Sequence, residues 1–442
     1  MYLYAKGIKP NRRSCMRTVS KTVIGVDFGT QSARAVLVNA ENGEIIYSCR
    51  KEYPYNSTPV PAIDCAENLP CATDYEMTLY ELLRNVIPEE YRKTVAGICV
   101  DATSLTMVLL AEDGRALSEL DGWSEAAHAR VKLWKYHRAQ EKADEALNLA
   151  RNLQEPFLGR TGGSISCEWM LPKLLEVRDE APEIYSKIDL AMDLCEFLTF
   201  RLTGQLVRSI GSLSYKCLWA EDLSFPERTF LNGLRAGFYE EYCHFLRGDV
   251  RKPGECAGML RSELTKRWGL PEQIPVATGM LDGHTSLATM GAFEPGDAAL
   301  IVGTSNVCTV QDRKLQELKD VCGVAQDGMV TGSCGIDTGQ SSTGNMLGWF
   351  VEHMAGWQIH REAEERKISP HQVLAERIQK PWENKVIAVD WWSGSRNAPC
   401  DLTLRGSMSG LEMDTKTEDI YLALLQAIAC GTGTILESLS GQ

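Results

Sequence analysis

The fifteen cysteines include no Cys-x-x-Cys pair and follow no regular spacing. That excludes a zinc ribbon and a thioredoxin-like redox pair. An odd, scattered set fits reduced thiols in a cytoplasmic protein better than a disulfide framework. The seven histidines lack metal-ligand spacing. No continuous apolar run approaches the roughly 20 residues a membrane helix needs, so no membrane partner is expected. Basic charge is also short: 46 Lys and Arg stand against 59 Asp and Glu, for a net charge of −13. A nucleic-acid partner is therefore not expected. No glycine turn is followed by Gly-Lys-Ser or Gly-Lys-Thr, so the chain has no P-loop.

What remains is a globular chain of 442 residues, 44% hydrophobic, with ample material for large cores. At about 150 residues per domain it accommodates two or three domains. Residues 1–21 stand apart. They carry Lys6, Lys9, Arg12, Arg13, Arg17 and Lys21, and the first acidic residue is Asp27. This segment reads as a disordered basic extension or as a start codon placed too early, with Met16 the true start, and an organelle transit segment is the alternative.

The informative stretch is Val26-Asp27-Phe28-Gly29-Thr30-Gln31-Ser32-Ala33-Arg34. It separates two apolar runs, 23–26 and 35–38, that read as a buried strand and its hairpin partner. Glycine at the turn lets backbone N–H groups approach an anion, and Asp27 at the strand end suits a hydrated divalent cation. An ordinary polar hairpin turn would read the same way. The pattern then recurs: Ala298–Val302, the turn Gly303-Thr304-Ser305-Asn306, and Val307–Val310. Two matching hairpins this far apart fit two similar domains, each lending one phosphate-binding turn to a shared cleft. Between them lies Gly279-Met280-Leu281-Asp282-Gly283-His284, after a short strand at 274–277. A carboxylate on such a turn suits a kinase base, although a turn or helix-cap aspartate is the commoner use.

Further strands are expected at 44–53 and 95–100, the second running into Asp101-Ala102-Thr103-Ser104. Residues 54–74 read as a loop. Helices are expected at 75–86, 125–153, 171–188, 190–202 and 420–439. The alternation implies an α/β architecture.

These residues together resemble the FGGY carbohydrate kinases, and among them the bacterial ribulokinases. The likeness rests on Gly25–Arg34, Val131–Lys135, Glu155-Pro156-Phe157, Gly162-Gly163-x-x-Ser166-x-Glu168-Trp169, Tyr215-Lys216-x-x-Trp219, Gly303-Thr304-Ser305, Gly339-Gln340-Ser341 and Asp390-Trp391-Trp392-x-Gly394-x-Arg396, in family order. The resemblance implies two ribonuclease-H-like domains of the actin-like ATPase superfamily closing over a cleft. The sugar-binding domain would span 22–291 and the nucleotide-binding domain 292–442. It makes Asp282 the catalytic base and Asp27 the carboxylate beside Mg²⁺. It assigns Gly29, Thr30, Gln31, Ser32 and Arg34, with Gly303, Thr304 and Ser305, to the phosphates of ATP. Lys216, Ala102, Thr103, Asp282 and Asp337 fall at the sugar, with Glu168 and Trp169 supporting that pocket. The acceptor would be a ketopentose, with L-ribulose favoured over D-ribulose or xylulose, and a homodimer is left open.

Two departures stand out. Asp337 occupies a position where ribulokinases typically carry glutamate, so the side chain is one methylene shorter. Family members also continue past the equivalent of residue 442 with a Gly-Gly turn that contacts adenosine, and no such turn follows Asp390 here. The second domain is therefore expected to be incomplete, which leaves open a catalytically impaired remnant that only binds sugar or a partner. An actin-like or chaperone ATPase is the third reading.

Overall fold

The structure is a computed structural model that describes residues 21–53, 69–379, 383–396, 401 and 403–441. Residues 1–20 of the expected basic extension and residues 54–68 of the expected loop lie outside the described residues.

The strand Thr22–Phe28 is the spine of the first sheet. Its even-numbered positions, Thr22, Ile24, Val26 and Phe28, are buried while the intervening ones are not, the period-two pattern of a strand with one covered face. It pairs antiparallel with Ser32–Asn39, which pairs antiparallel with Ile45–Glu52. On the other side Val95–Ala102 runs parallel to it. Pro275–Ala277 and Cys256–Met259 extend the sheet beyond that strand, and Met280–Leu281 pairs with its end. Helices Ala72–Val86 and Leu194–Thr203 pack on the sheet through Leu79, Leu82, Leu83, Phe197 and Leu198 in one continuous core.

The register matters for chemistry. Asp27 lies opposite Asp101, and Met280 and Leu281 lie opposite Asp101 and Ala102. Three strands therefore end together, and Asp282 begins a helix, Asp282–Met290, at that edge. Ligands of α/β proteins bind at the carboxyl ends of such strands.

The second sheet repeats the plan. Ala298–Val302, Asn306–Asp312 and Cys334–Gln340 form an antiparallel run, with Gly323–Gln326 on the far edge. Helices Gly344–Met354, Gly356–Arg366, Pro370–Arg377 and Thr417–Gly441 share a core that includes Met346, Phe350, Leu374, Tyr421 and Leu424. The units also touch directly. Leu318 N–H donates to the Gly159 carbonyl (3.1 Å) and Asp320 N–H to that of Gly162 (3.3 Å). Gly162 has φ +64°, and any Cβ there would lie 2.1 Å from the Val321 carbonyl oxygen. Only glycine permits this approach.

The structure corrects four expectations. The long helix at 125–153 forms only over Gln140–Leu153, because the preceding residues are used in turns and in a short antiparallel bridge from Lys132 to Met107. The helix at 171–188 breaks at Ala181, where Pro182 starts a new turn. The helix at 190–202 begins as a buried strand, Leu190–Asp193, before Asp193 caps Leu194–Thr203. Finally, Thr417–Gly441 is long and apolar enough to cross a membrane by length and composition. The sequence hid this because glycines and threonines interrupt its apolar residues. Tyr421, Leu424 and Ala427 are nonetheless buried on the second core.

Candidate functional site

Three carboxylates meet at the strand ends. Asp27 and Asp101 lie opposite each other in the strand register, the charges of Asp27 and Asp282 both bear on Asp101, and that of Asp27 bears on Asp282. Burial, then the charges of Asp27 and Asp282, push the Asp101 carboxyl up to about 8. Its Oδ1 is buried without a hydrogen-bond partner. Burial likewise raises Asp282 to about 7, against two backbone N–H groups, from Gly283 at 2.7 Å and from Ser104, that favour its charged form. Sequence reading placed Asp101 in a polar cluster past a strand, where α/β proteins hold ligand groups, but gave it no role of its own. Its only signal was its place at the end of an apolar strand, and the register that sets it beside Asp27 is not local.

Opposite Asp282 lies a charged pair drawn from both units. Lys216 ends the helix Ile210–Lys216, and its Nζ donates to Asp337 Oδ2 at 3.0 Å. Asp337, on the strand Cys334–Gln340, also faces His284 Nε2 at 3.6 Å. Burial works against the Asp337 charge, but Lys216 and then His284 hold the carboxyl well below the usual aspartate range. Burial also opposes the Lys216 charge, and Asp337 more than offsets it. The shorter side chain of Asp337 thus still reaches the lysine. Tyr215 packs edge-on against His284 with centroids 4.6 Å apart, and its hydroxyl donates to the Gly335 carbonyl (2.8 Å). Ala102 and Thr103 are buried beside the Met280–Leu281 strand that leads into Asp282, and Thr103 N–H donates to the Phe28 carbonyl.

The first hairpin is tied down from outside itself. Trp134 Nε1 donates to Thr30 Oγ1 (3.1 Å), and the Tyr53 hydroxyl donates to the Gly29 carbonyl (2.9 Å). Ser32 is buried, and its hydroxyl accepts from Arg50 Nε (3.0 Å), so its side chain is committed to the neighbouring strand. Gln31 and Arg34 are exposed, and Arg34 lies 3.9 Å from Asp27. In the second hairpin, Gly303 N–H bonds to the Ser305 carbonyl, while Thr304 is exposed. Sequence reading missed what anchors this turn. Thr343 Oγ1 and Gly344 N–H both donate to the Gly303 carbonyl, at 2.9 and 3.0 Å. A Cβ on Gly344 would sit 2.5 Å from that oxygen. The Gly344–Met354 helix therefore opens directly against the turn, its N-terminal dipole suited to an anion. The run Ser-Ser-Thr-Gly-Asn before an apolar helix was the available signal.

A second pair crosses between the units. Arg396 Nη2 meets Glu168 Oε1 at 2.5 Å, and His137 Nε2 shares that oxygen at 2.9 Å. Burial would raise the Glu168 carboxyl, but Arg396 and then His137 outweigh it and hold the group at about 2. A depressed carboxylate adds stability above its unfolded value, near 4.5, and loses it as pH falls toward 2. Replacing Glu168 with Gln should lower stability by about 1.5–3 kcal/mol at pH 7. Thermal melts against pH check this: the gap between the two proteins should close progressively below about pH 4.5. A gap that persists at pH 2 would contradict it.

Comparison with known proteins identifies the family. Residues 22–289 match the N-terminal domain of the FGGY family of carbohydrate kinases, and residues 298–442 match its C-terminal domain. A ribulokinase of Halalkalibacterium halodurans is 33% identical over 433 residues, covering 96% of this chain and 77% of that protein. A ribulokinase of Mycolicibacterium smegmatis is 36% identical over 434 residues, covering 95% and 76%. Among solved structures, xylulose kinase from Rhodospirillum rubrum superposes with a TM-score of 0.71 at 20% identity, covering 95% of this chain and 79% of that one. Glycerol kinase from Plasmodium falciparum with ADP gives 0.72 at 16% identity, covering 96% and 79%. The two-domain kinase fold is shared throughout, and the chain belongs to the FGGY family of carbohydrate kinases.

Proposed function

We propose that this chain transfers the γ-phosphoryl group of ATP to the terminal hydroxyl of ribulose, with L-ribulose favoured, in the cytoplasm. The observation that carries this reading is the partly buried Asp282 carboxylate at the strand ends, within the influence of Lys216, which pairs with Asp337. The ribulokinase relatives favour ribulose over xylulose as acceptor.

Asp282 accepts the proton of the attacking hydroxyl, which a raised pKa makes easier at neutral pH. Lys216 supplies several N–H donors to a ketose's hydroxyls, and Asp337 accepts from them. Ala102 and Thr103 wall the sugar. Backbone donors at Gly29, Thr30 and Gln31, and at Gly303, Thr304 and Ser305, hold phosphate oxygens on opposite sides. Ser32 contributes through its backbone, and Arg34 by its charge.

The residues present fit Mg²⁺. Among the described residues no group of three His, Cys, Asp or Glu forms a metal cage. Mg²⁺, however, commonly takes only one or two carboxylates, with waters and phosphate oxygens completing its shell. Asp27 provides such a carboxylate, and its neighbour Asp101 has the orphaned Oδ1. Bound there, Mg²⁺ would neutralise charge developing on the transferring phosphoryl group.

The pH profile follows from Asp282. With its carboxyl near 7, the rate at saturating substrates should be level above about pH 8 and fall toward tenfold per unit below pH 7. An acid limb near pH 4 would contradict the raised value. The reading itself is tested by ADP release with L-ribulose, D-ribulose and D-xylulose in parallel. Turnover with a ribulose and little with xylulose is expected, and no sugar-dependent ADP with any of them would overturn it.

A further inference from the structure

The strand that pairs with Met280–Leu281, just before Asp282, runs at Ala102 directly into a strained turn, Thr103–Thr106. Leu105 has φ +42°, a region an apolar L-residue occupies only when its surroundings hold it there. Two fully buried ionisable side chains do the holding. Asp193 accepts from the Leu105 amide through Oδ2 (3.2 Å) and from the Thr106 amide through Oδ1 (3.1 Å). Lys173 Nζ donates to the Leu105 carbonyl at 3.0 Å. The turn is thus gripped at both backbone ends of its strained residue.

The same two side chains reach the rest of the site. Asp193 Oδ2 accepts from Ser212 Oγ at 2.8 Å, on the short helix that ends in Lys216. Lys173 Nζ also donates to the carbonyls of Leu133 (2.9 Å) and Lys132 (3.3 Å). The next residue, Trp134, bonds Thr30 of the first phosphate turn. Burial opposes the charge of both groups, raising Asp193 to about 7 and lowering Lys173 to about 7. Their retention therefore carries a cost, and apolar residues would fill the same volume without it.

We infer that Asp193 and Lys173 are positioning residues for phosphoryl transfer, fixing the Thr103–Thr106 turn that follows Ala102, the strand partner of the residue before Asp282, while tying that turn to Lys216 and Thr30. This rests on the reading of Asp282 as the base. Neither side chain touches the reacting atoms. Each acts through backbone that does, and misplacement of a catalytic group by about 1 Å is enough to cost a hundredfold in rate.

A double-mutant cycle tests it. Asp193→Asn is measured in the unaltered chain and in an Asp282→Asn background, with rates normalised to the folded fraction from thermal melts. If Asp193 acts through Asp282, its replacement lowers kcat at least tenfold in the first background and less than about twofold in the second. An equal loss in both backgrounds, or no loss in the first, would overturn the proposal while leaving the base assignment intact. An Asp282→Asn enzyme as fast as the unaltered chain would instead overturn the base assignment, and the proposal with it. Should Asp193→Asn fail to fold, Lys173→Met carries the same cycle with the same expected factors, since it leaves no unpaired charge on the replaced side chain.

Discussion

Replacing Asp282 with Asn is expected to lower kcat about 10²–10⁴-fold, the usual contribution of a positioned general base. The Michaelis constants for ribulose and ATP should change far less. Asparagine keeps the shape and one acceptor oxygen, so the Gly283 amide retains a partner. It also removes a charge that burial disfavours, so stability should hold or rise slightly, and the Asp101 carboxyl should move down toward its ordinary range. Steady-state kinetics with a thermal melt on the same preparation checks all of this. A fall in kcat matched by a fall in folded fraction would mean that Asp282 is structural.

The second large effect is expected at Lys216. Replacing it with Met keeps the bulk and removes the ammonium. Two losses follow. The sugar loses charge-assisted hydrogen bonds worth about 1.5–3 kcal/mol, so kcat/KM for ribulose should fall roughly 10- to 100-fold. The fold also loses the partner of a buried carboxylate. Asp337 would be left facing only His284 among the groups that hold it down. Breaking a buried pair in this way typically costs about 3–5 kcal/mol. A double replacement, Lys216→Met with Asp337→Asn, should recover much of the stability but none of the sugar affinity. That split separates the structural role of the pair from its role in binding. Recovery of both, or of neither, would contradict the assignment.

Much of the site was legible because its signals are local. The turn at 27–34, its echo at 303–306 and the Gly-flanked Asp282 each announce themselves within ten residues, and the flanking strands follow from short apolar runs. What sequence missed depends on distance or on competing local preferences. Leu190–Asp193 runs into the helix behind it without a glycine or proline, and the one local mark of the boundary is the Asp193–Glu196 capping box at the start of Leu194–Thr203. Residues 127–137 carry helix-favouring alanines, yet Lys132 is drawn into a buried pair with Glu176 and its backbone into a bridge with Met107. Asp101 acquires its role from strand register. Glu168 and Arg396 were visible as motif residues, but their contact joins positions on different units. The work of Lys173 and Asp193 is invisible without the strained Leu105 they support.

The most direct measurement follows the phosphoryl group itself. ATP labelled with ¹⁸O in the γ-phosphoryl group is incubated with the full chain, Mg²⁺ and L-ribulose, and the products are resolved by mass spectrometry. The account predicts a pentulose 5-phosphate carrying the label, formed in step with ADP and formed about 10²–10⁴-fold more slowly with Asp282→Asn. Labelled inorganic phosphate released at the same rate with or without the sugar would contradict it.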